Sequence, residues 1–328
     1  MTLAPPRPEG KVATLLAMLA YRRPGGSKTE RRFIHEYIDP LGCEIDGYGN
    51  RIKRIGDAPI LWSCHTDTVH REGGMQRLII SGDTVRAGGA SNCLGADCTT
   101  GVWLMTEMIK AGVPGLYVFH RDEECGGLGS DFIAHDTPGL LAGIQYAIAF
   151  DRRGFNSIVT HQAGGRCCSD EFAQSLAEAL AMPELKPDTG GTFTDTANYT
   201  DLVPECTNIA VGYLNQHWEN ETQCLQFAAG LLDALLAADW SKLVAKRVPG
   251  QVESHGRNSW GGSRYLGKKS FTDDAYWEEQ REPPSRSATI RSVLRDHPDE
   301  IADWLEEQGI NVAELQYEVW QRGGIVRC

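Results

Sequence analysis

No apolar run in this sequence approaches the ~20 residues that a helix needs to cross a bilayer; stretches such as Leu15–Tyr21 and Tyr146–Phe150 stop far short. Positive charge is also in short supply. The 44 acidic and 32 basic residues leave a net charge of −12, which disfavours nucleic-acid binding by phosphate neutralisation and attachment to anionic lipid by charge. Cysteine pairs at CxxC spacing are absent, and the ten cysteines are spread along the chain. Met1 to Lys11 holds three prolines, and the apolar stretch after it ends in Arg22-Arg23, where a secretory signal would carry a small-residue cleavage site. A cytoplasmic protein with reduced thiols and no disulfide framework is therefore expected. With 41% hydrophobic and 23% charged residues, the composition excludes a wholly disordered chain, a collagen-like repeat and a coiled coil. A length of 328 residues at ~150 per domain suggests about two domains.

No repeat of fixed period is present. Helical and strand patterns alternate from Lys11 to Trp240 instead, the mark of an α/β domain. Helices are predicted over Lys11–Arg22, from an N-cap at Ser27 (with Glu30 three residues on) through Tyr37, over Thr99–Ala111, near Leu128–His135, from Ser169 through Ala181, and over Glu221–Ala238. Strands are predicted over Gly42–Asp46, Arg51–Ile55, Ile60–Cys64, Leu116–His120, Tyr146–Phe150, Ser157–Thr160 and Ile209–Tyr213. Gly82-Asp83 between Arg77–Ile80 and Thr84–Arg86 reads as a hairpin turn. We divide the chain into a catalytic domain over 1–245, a linker or irregular extension over 246–286, and a helical segment over 287–328. That last segment is too short for a robust core of its own, so it packs on the main domain or on a partner.

Polar residues at the C-terminal ends of predicted strands attract attention, because open α/β sheets place their sites there. Ile60–Cys64 runs into His65-Thr66-Asp67, where a histidine can bind a metal while the nearby carboxylate orients its other nitrogen; alone, such a triplet is as well read as a surface turn. Asp97 in Leu94-Gly95-Ala96-Asp97 enters a helix and could simply cap it. Leu116–His120 leads into Arg121-Asp122-Glu123-Glu124-Cys125-Gly126-Gly127, and adjacent glutamates point in different directions, one toward a metal and one toward a proton. Asp151 follows the strand Tyr146–Phe150, and His217 lies just past Ile209–Tyr213. All five features fall at or near strand ends.

The order His-x-Asp, Asp, Glu-Glu, Asp, His resembles the co-catalytic dizinc exopeptidases, the superfamily of tripeptidase T, the carboxypeptidase G and aminoacylase group, and the leucyl aminopeptidases. The resemblance covers roughly Lys11 to Trp240, with His65-Thr66-Asp67-Thr68-Val69 and Leu94-Gly95-Ala96-Asp97 closest to the tripeptidase branch. It implies a three-layer αβα sandwich with a mixed, mainly parallel sheet. It also implies that His65, Glu124, Asp151 and His217 are terminal metal ligands, that Asp97 bridges two ions, that Asp67 orients His65, and that Glu123 is the general base. Two neutral histidines and three carboxylates give −3 against +4 from two divalent ions, and a bridging hydroxide cancels the remainder. Nitrogen and oxygen ligands without thiolate suit two zinc ions, with cobalt or manganese as substitutes.

Relatives tend to carry a cis peptide after the bridging aspartate, so one is expected between Asp97 and Cys98, where many relatives have an acidic or amide residue. Tripeptidase-like members insert a lid or dimerisation domain between the Asp151 and His217 positions; here residues 152–216 are too few, so no such domain is expected. The implied activity is amide hydrolysis, as an aminopeptidase or tripeptidase on short peptides. Alternatives are an N-acyl amino-acid deacylase or carboxypeptidase, and a metal-free binding module. Partners are expected to be a short peptide or N-acyl amino acid, with no nucleic acid and no membrane, and an oligomer or protein partner through the C-terminal segment.

Secondary candidates remain open. Arg152-Arg153 can bind a substrate carboxylate or sit ion-paired at the surface; Gly191 in Thr189-Gly190-Gly191-Thr192 can approach a substrate backbone or belong to a plain loop. His161 is the alternative to His217. Cys64, Cys98 and Cys125 beside the site are either an oxidant-sensitive cluster or small buried apolar groups. Trp218 either lines a pocket or packs.

Overall fold

Alternating apolar residues build the centre of the fold. In the strand Ile60–His65, Ile60, Trp62 and Cys64 belong to one buried cluster and Leu61 to another. Tyr117 and Phe119 separate in the same way from Leu116 and Val118 in Gly115–His120, and Ile148 and Phe150 from Ala147 in Tyr146–Arg152. A period of two with apolar residues on both faces is the signature of a strand covered on both sides. The computed structural model describes residues 10–250; the linker and helical segment predicted over 246–286 and 287–328 lie outside them, apart from residues 246–250.

Eight strands form the central sheet: β1 (Glu44–Ile45), β2 (Arg51–Ile55), β3 (Ile60–His65), β4 (Gly115–His120), β5 (Tyr146–Arg152), β6 (Ser157–Val159), β7 (Lys186–Asp188) and β8 (Glu205–Ala210), in spatial order β7-β6-β8-β5-β3-β4-β2-β1. The middle strands β8, β5, β3 and β4 are mutually parallel, and so is the β6–β7 pair. β6 runs antiparallel to β8, and β2 is antiparallel to both β4 and β1. The sheet is thus mixed with a parallel centre.

Helices α1 (Ala13–Leu19), α2 (Lys28–Tyr37), α3 (Ala96–Lys110), α5 (Asp170–Ala179) and α6 (Leu225–Ala237) contribute to the larger cluster, on the Trp62 face. The helix α4 (Leu128–His135) joins Leu141, Ile144 and Tyr199 in the cluster on the Leu61 face. Trp62 is wholly buried, stacked on Phe150 at 5.8 Å and edge-on to Trp240 at 4.8 Å. Among the described residues no helix is long and apolar enough to cross a membrane.

The caps and turns follow local chemistry. Ser27 accepts from the Glu30 N–H and Ser169 from the Phe172 N–H, as predicted for these helix starts. Strands Arg77–Ser81 and Thr84–Gly88 pair around Gly82-Asp83, with Gly82 at φ +57°. Other boundaries differ from expectation. The first helix ends at Leu19 because Tyr21–Arg22 pairs instead with Gly74–Met75. The strand predicted over Gly42–Asp46 is reduced to Glu44–Ile45. The strand predicted over Ile209–Tyr213 begins at Glu205: Glu205, Thr207 and Asn208 are polar but buried, with every one hydrogen-bonded. The helix predicted from Glu221 starts at Leu225, because Thr222–Cys224 pairs antiparallel with Thr84–Arg86. Residues 152–216 supply β6, β7, β8, α5 and the short strands and turns between them.

Candidate metal centre

Three adjacent parallel strands bring their C-terminal ends together and carry most of the site. His65 ends β3, Asp151 sits near the end of β5, and Glu123 and Glu124 follow β4 by three and four residues. Asp97 comes from the first turn of α3, where Gly95 takes φ +73° and the Asp97–Cys98 peptide is cis, as the resemblance implied. His217 follows the short strand Tyr213–Leu214 and has φ +68°, a backbone region that costs a non-glycine residue about 1 kcal/mol or more.

The distances divide these residues into two groups that share Asp97. On one side, His65 Nε2 lies 3.0 Å from Asp97 Oδ1 and 3.4 Å from Asp151 Oδ1. On the other, His217 Nε2 lies 3.2 Å from Asp97 Oδ2 and 3.3 Å from Glu124 Oε1. The two oxygens of one carboxylate therefore face two separate histidine–carboxylate pairs. Glu123 Oε2 stands 3.8 Å from His65 Nε2, beside the first group.

His65, Asp97, Asp151 and the two glutamates are held from behind. Asp67 places Oδ1 3.3 Å from His65 Nδ1 and accepts from the backbone N–H groups of Glu123 and Glu124, so one buried carboxylate orients the histidine and fixes the two glutamates. Burial pushes the Asp67 carboxyl up, but its bonds with His65 and those backbone donors outweigh this and leave it below the usual range. Thr194 donates to Asp151 Oδ2 at 2.8 Å, Tyr213 donates to the Asp151 carbonyl at 2.8 Å, and Asn208 accepts from its N–H at 2.9 Å. Glu221 accepts from the N–H groups of Leu94, Gly95 and Asp97, holding the turn that presents Asp97.

The electrostatics identify what such a cluster lacks. Burial drives the Asp151 carboxyl up to about 7, with the Asp97 charge adding to it. Burial likewise raises Glu123 and Glu124. His217 is pushed up to about 11 by its hydrogen bonds to Asp97 and then Glu124. Asp97 itself is held low: burial opposes ionisation, but hydrogen bonds from His217 and His65 prevail. Glu124 Oε1 is buried without a well-formed hydrogen bond, although His217 lies nearby. Four clustered carboxylates thus face two histidines in a largely buried centre. The same nitrogens and oxygens are metal donors, and groups His65–Glu123–Glu124 and Asp97–Glu124–His217 lie within metal-binding reach. The donor set fits divalent cations.

The remaining candidates fall around this centre. A cleft of about 90 Å³ contains the carboxylates Asp97, Glu123, Glu124 and Asp151 together with His217, Arg152, Arg153 and Gly191. Arg152 is committed to Asp188 at 2.9 Å and to the Gly190 carbonyl at 3.1 Å; it braces the glycine loop, whereas Arg153 is exposed on the cleft wall. A Cβ on Gly191 would run into the His161 carbonyl and Val159. His161 meets Thr160 at 3.0 Å and falls outside the metal-binding groupings among the described residues. Cys64 and Cys98 are buried, with Cys98 donating to the Phe150 carbonyl, and Cys125 is exposed. Trp218 is 70% exposed. Sequence reasoning missed Glu221, Thr194, Asn208 and Tyr213; Glu221 was masked by a helix-like pattern, and the others carry no spacing signal.

No protein-family model matches the sequence, and no curated protein is significantly similar to it. Solved structures are. Aminopeptidase PepT from Bacillus cereus ATCC 10987 superposes with a TM-score of 0.54 at 15% identity, covering 69% of this chain and 97% of that one. A tripeptidase from Staphylococcus aureus subsp. aureus Mu50 gives 0.54 at 13% identity, covering 69% and 96%. Aminopeptidase APDkam598 from the archaeon Desulfurococcus kamchatkensis gives 0.54 at 14% identity, covering 69% and 93%. At these identities the likeness is one of architecture, and this chain has the fold of the aminopeptidase and tripeptidase structures, the fold that its ordered motifs implied.

Proposed function

We propose that the chain is a metal-dependent amide hydrolase acting as an exopeptidase, of aminopeptidase or tripeptidase type, with Glu123 as general base and no inserted lid over its cleft. The observation that carries this reading is the division of Asp97: Oδ1 faces His65 and Asp151, and Oδ2 faces His217 and Glu124. His65, Asp97 and Asp151 would hold one ion, and Asp97, Glu124 and His217 the other. Two divalent cations, zinc or in its place cobalt or manganese, would polarise a scissile carbonyl and make water a nucleophile near neutral pH.

Glu123 is suited to move the proton. Its backbone N–H is fixed on Asp67, and its carboxylate lies 3.8 Å from His65 Nε2, farther than those of Asp97 and Asp151. That position lets it accept a proton from attacking water and deliver it to the departing amine. Asp67 keeps His65 in one tautomer and orientation. The structurally similar proteins, two aminopeptidases and a tripeptidase, agree with this chemistry.

The test is hydrolysis of di- and tripeptides and N-acyl amino acids by the zinc-loaded full chain and its Glu123→Gln variant. Release of a terminal amino acid is expected, falling about 10²- to 10⁴-fold in the variant with bound zinc unchanged. Undiminished turnover with metal bound removes Glu123 from the mechanism; no cleavage of any peptide or acyl substrate removes the hydrolase reading.

A further inference from the structure

The cleft wall carries two arginines with different commitments. Arg152 is tied to Asp188 and the Gly190 carbonyl, which holds the glycine loop in place. Arg153 lines the same cleft, and among the described residues it forms no ion pair or hydrogen bond. In a chain with twelve more acidic than basic residues, an unpaired guanidinium beside a carboxylate-rich centre is a cation kept available. Asp97 and Asp151 are themselves engaged by histidines. Resting on the hydrolase reading above, we propose that Arg153 is the specificity-determining anchor of this site and that it selects short peptides bearing a carboxylate close to the scissile bond.

Reach and size set the spacing. Arg153 is two residues beyond Asp151 and lines the same cleft, so it can serve a group close to a carbonyl at the centre. The cleft, at about 90 Å³, is well below the ~300 Å³ where pockets for larger ligands begin. A space this small matches a carboxylate or a small side chain rather than a whole peptide. Phe193 and Tyr213 line the same cleft, and a guanidinium–carboxylate pair there is charge-assisted and can be bidentate. The carboxylate has two sources, the C-terminus of a di- or tripeptide and an acidic side chain.

Binding to the zinc-loaded full chain carrying Glu123→Gln separates recognition from turnover. Calorimetric titration compares Ala-Ala, Ala-Ala amide, Glu-Ala amide and Lys-Ala amide. Ala-Ala, Glu-Ala amide or both are expected to bind about 10- to 100-fold more tightly than Ala-Ala amide, the range a charge-assisted hydrogen bond supplies, and which of them does so identifies the source of the carboxylate. Adding Arg153→Ala abolishes the preference, Arg153→Lys restores part of it, and Arg77→Ala on the Gly82 hairpin leaves it intact while changing net charge equally. Equal binding of all four peptides, no binding by any, or a preference that survives Arg153→Ala overturns the proposal. Peptide hydrolysis by the parent chain is scored separately. Cleavage without carboxylate preference defeats the anchor alone, and an Arg153-dependent preference without cleavage defeats the hydrolase reading alone.

Discussion

Asp97 and the groups around it show how single side chains set the centre. Glu221 takes three backbone donors from the turn that presents Asp97, so Glu221→Ala leaves three buried N–H groups without an acceptor. A loss of about 2–4 kcal/mol is expected, together with weakened metal uptake, whereas Glu221→Gln retains an acceptor and recovers part of both; denaturant unfolding with parallel metal analysis checks this. His70 tests a different balance. It is buried against Thr68 and Gln76, and burial, with Arg23 adding, depresses it to about 4. Its neutral form is the folded one, so its contribution is intact above the unfolded value near 6.5 and is lost as pH falls from there toward 4, on the order of 3 kcal/mol in all. Metal-free His70→Gln should therefore lose less stability than the parent between pH 7 and pH 4.5, measured by urea unfolding; equal losses contradict the assignment.

At the level of elements, β3, β4 and β5 do two jobs with one alternation: one set of side chains fills the cores, and the strand ends deliver His65, the Glu123-Glu124 pair and Asp151. Trp62→Ala on β3 removes a wholly buried ring between Phe150 and Trp240 and should cost about 3–5 kcal/mol. Glu205 on β8 accepts from the Ser169 N–H and hydroxyl and from the N–H groups of Lys246 and Arg247. Glu205→Ala is expected to lower Tm by about 5–10 °C with metal content unchanged, a split that thermal scans and elemental analysis read together. The same elements explain what was legible. Strands β3, β4 and β5 announce themselves because their apolar runs end in the chemistry, and the order of those ends carried the site. The strand β8 was misplaced because Glu205, Thr207 and Asn208 read as surface residues; only partners distant in sequence make their burial tolerable. Thr222–Cys224 read as helix for the same reason, since its pairing with Thr84–Arg86 is set by tertiary contact rather than by local pattern. Arg152 and Arg153 are equivalent in sequence, and Asp188, 36 residues on, distinguishes them.

For the whole molecule, an excess of twelve acidic residues is tolerable at the surface but costly where carboxylates converge in a buried centre. Divalent cations that bind the folded chain and not the unfolded one add stability by mass action, about 2.7 kcal/mol at a hundredfold excess over Kd. Two ions sharing Asp97 are the central claim, and the direct measurement is elemental metal content per chain, in protein purified without chelator, for the parent and for Asp97→Asn and His217→Ala. The account predicts about two zinc, cobalt or manganese ions in the parent, and fewer in both variants, with Asp97→Asn the more severe because it serves both groups. A parent chain that holds no metal and takes up none from micromolar zinc, or variants that bind as much as the parent, would contradict it.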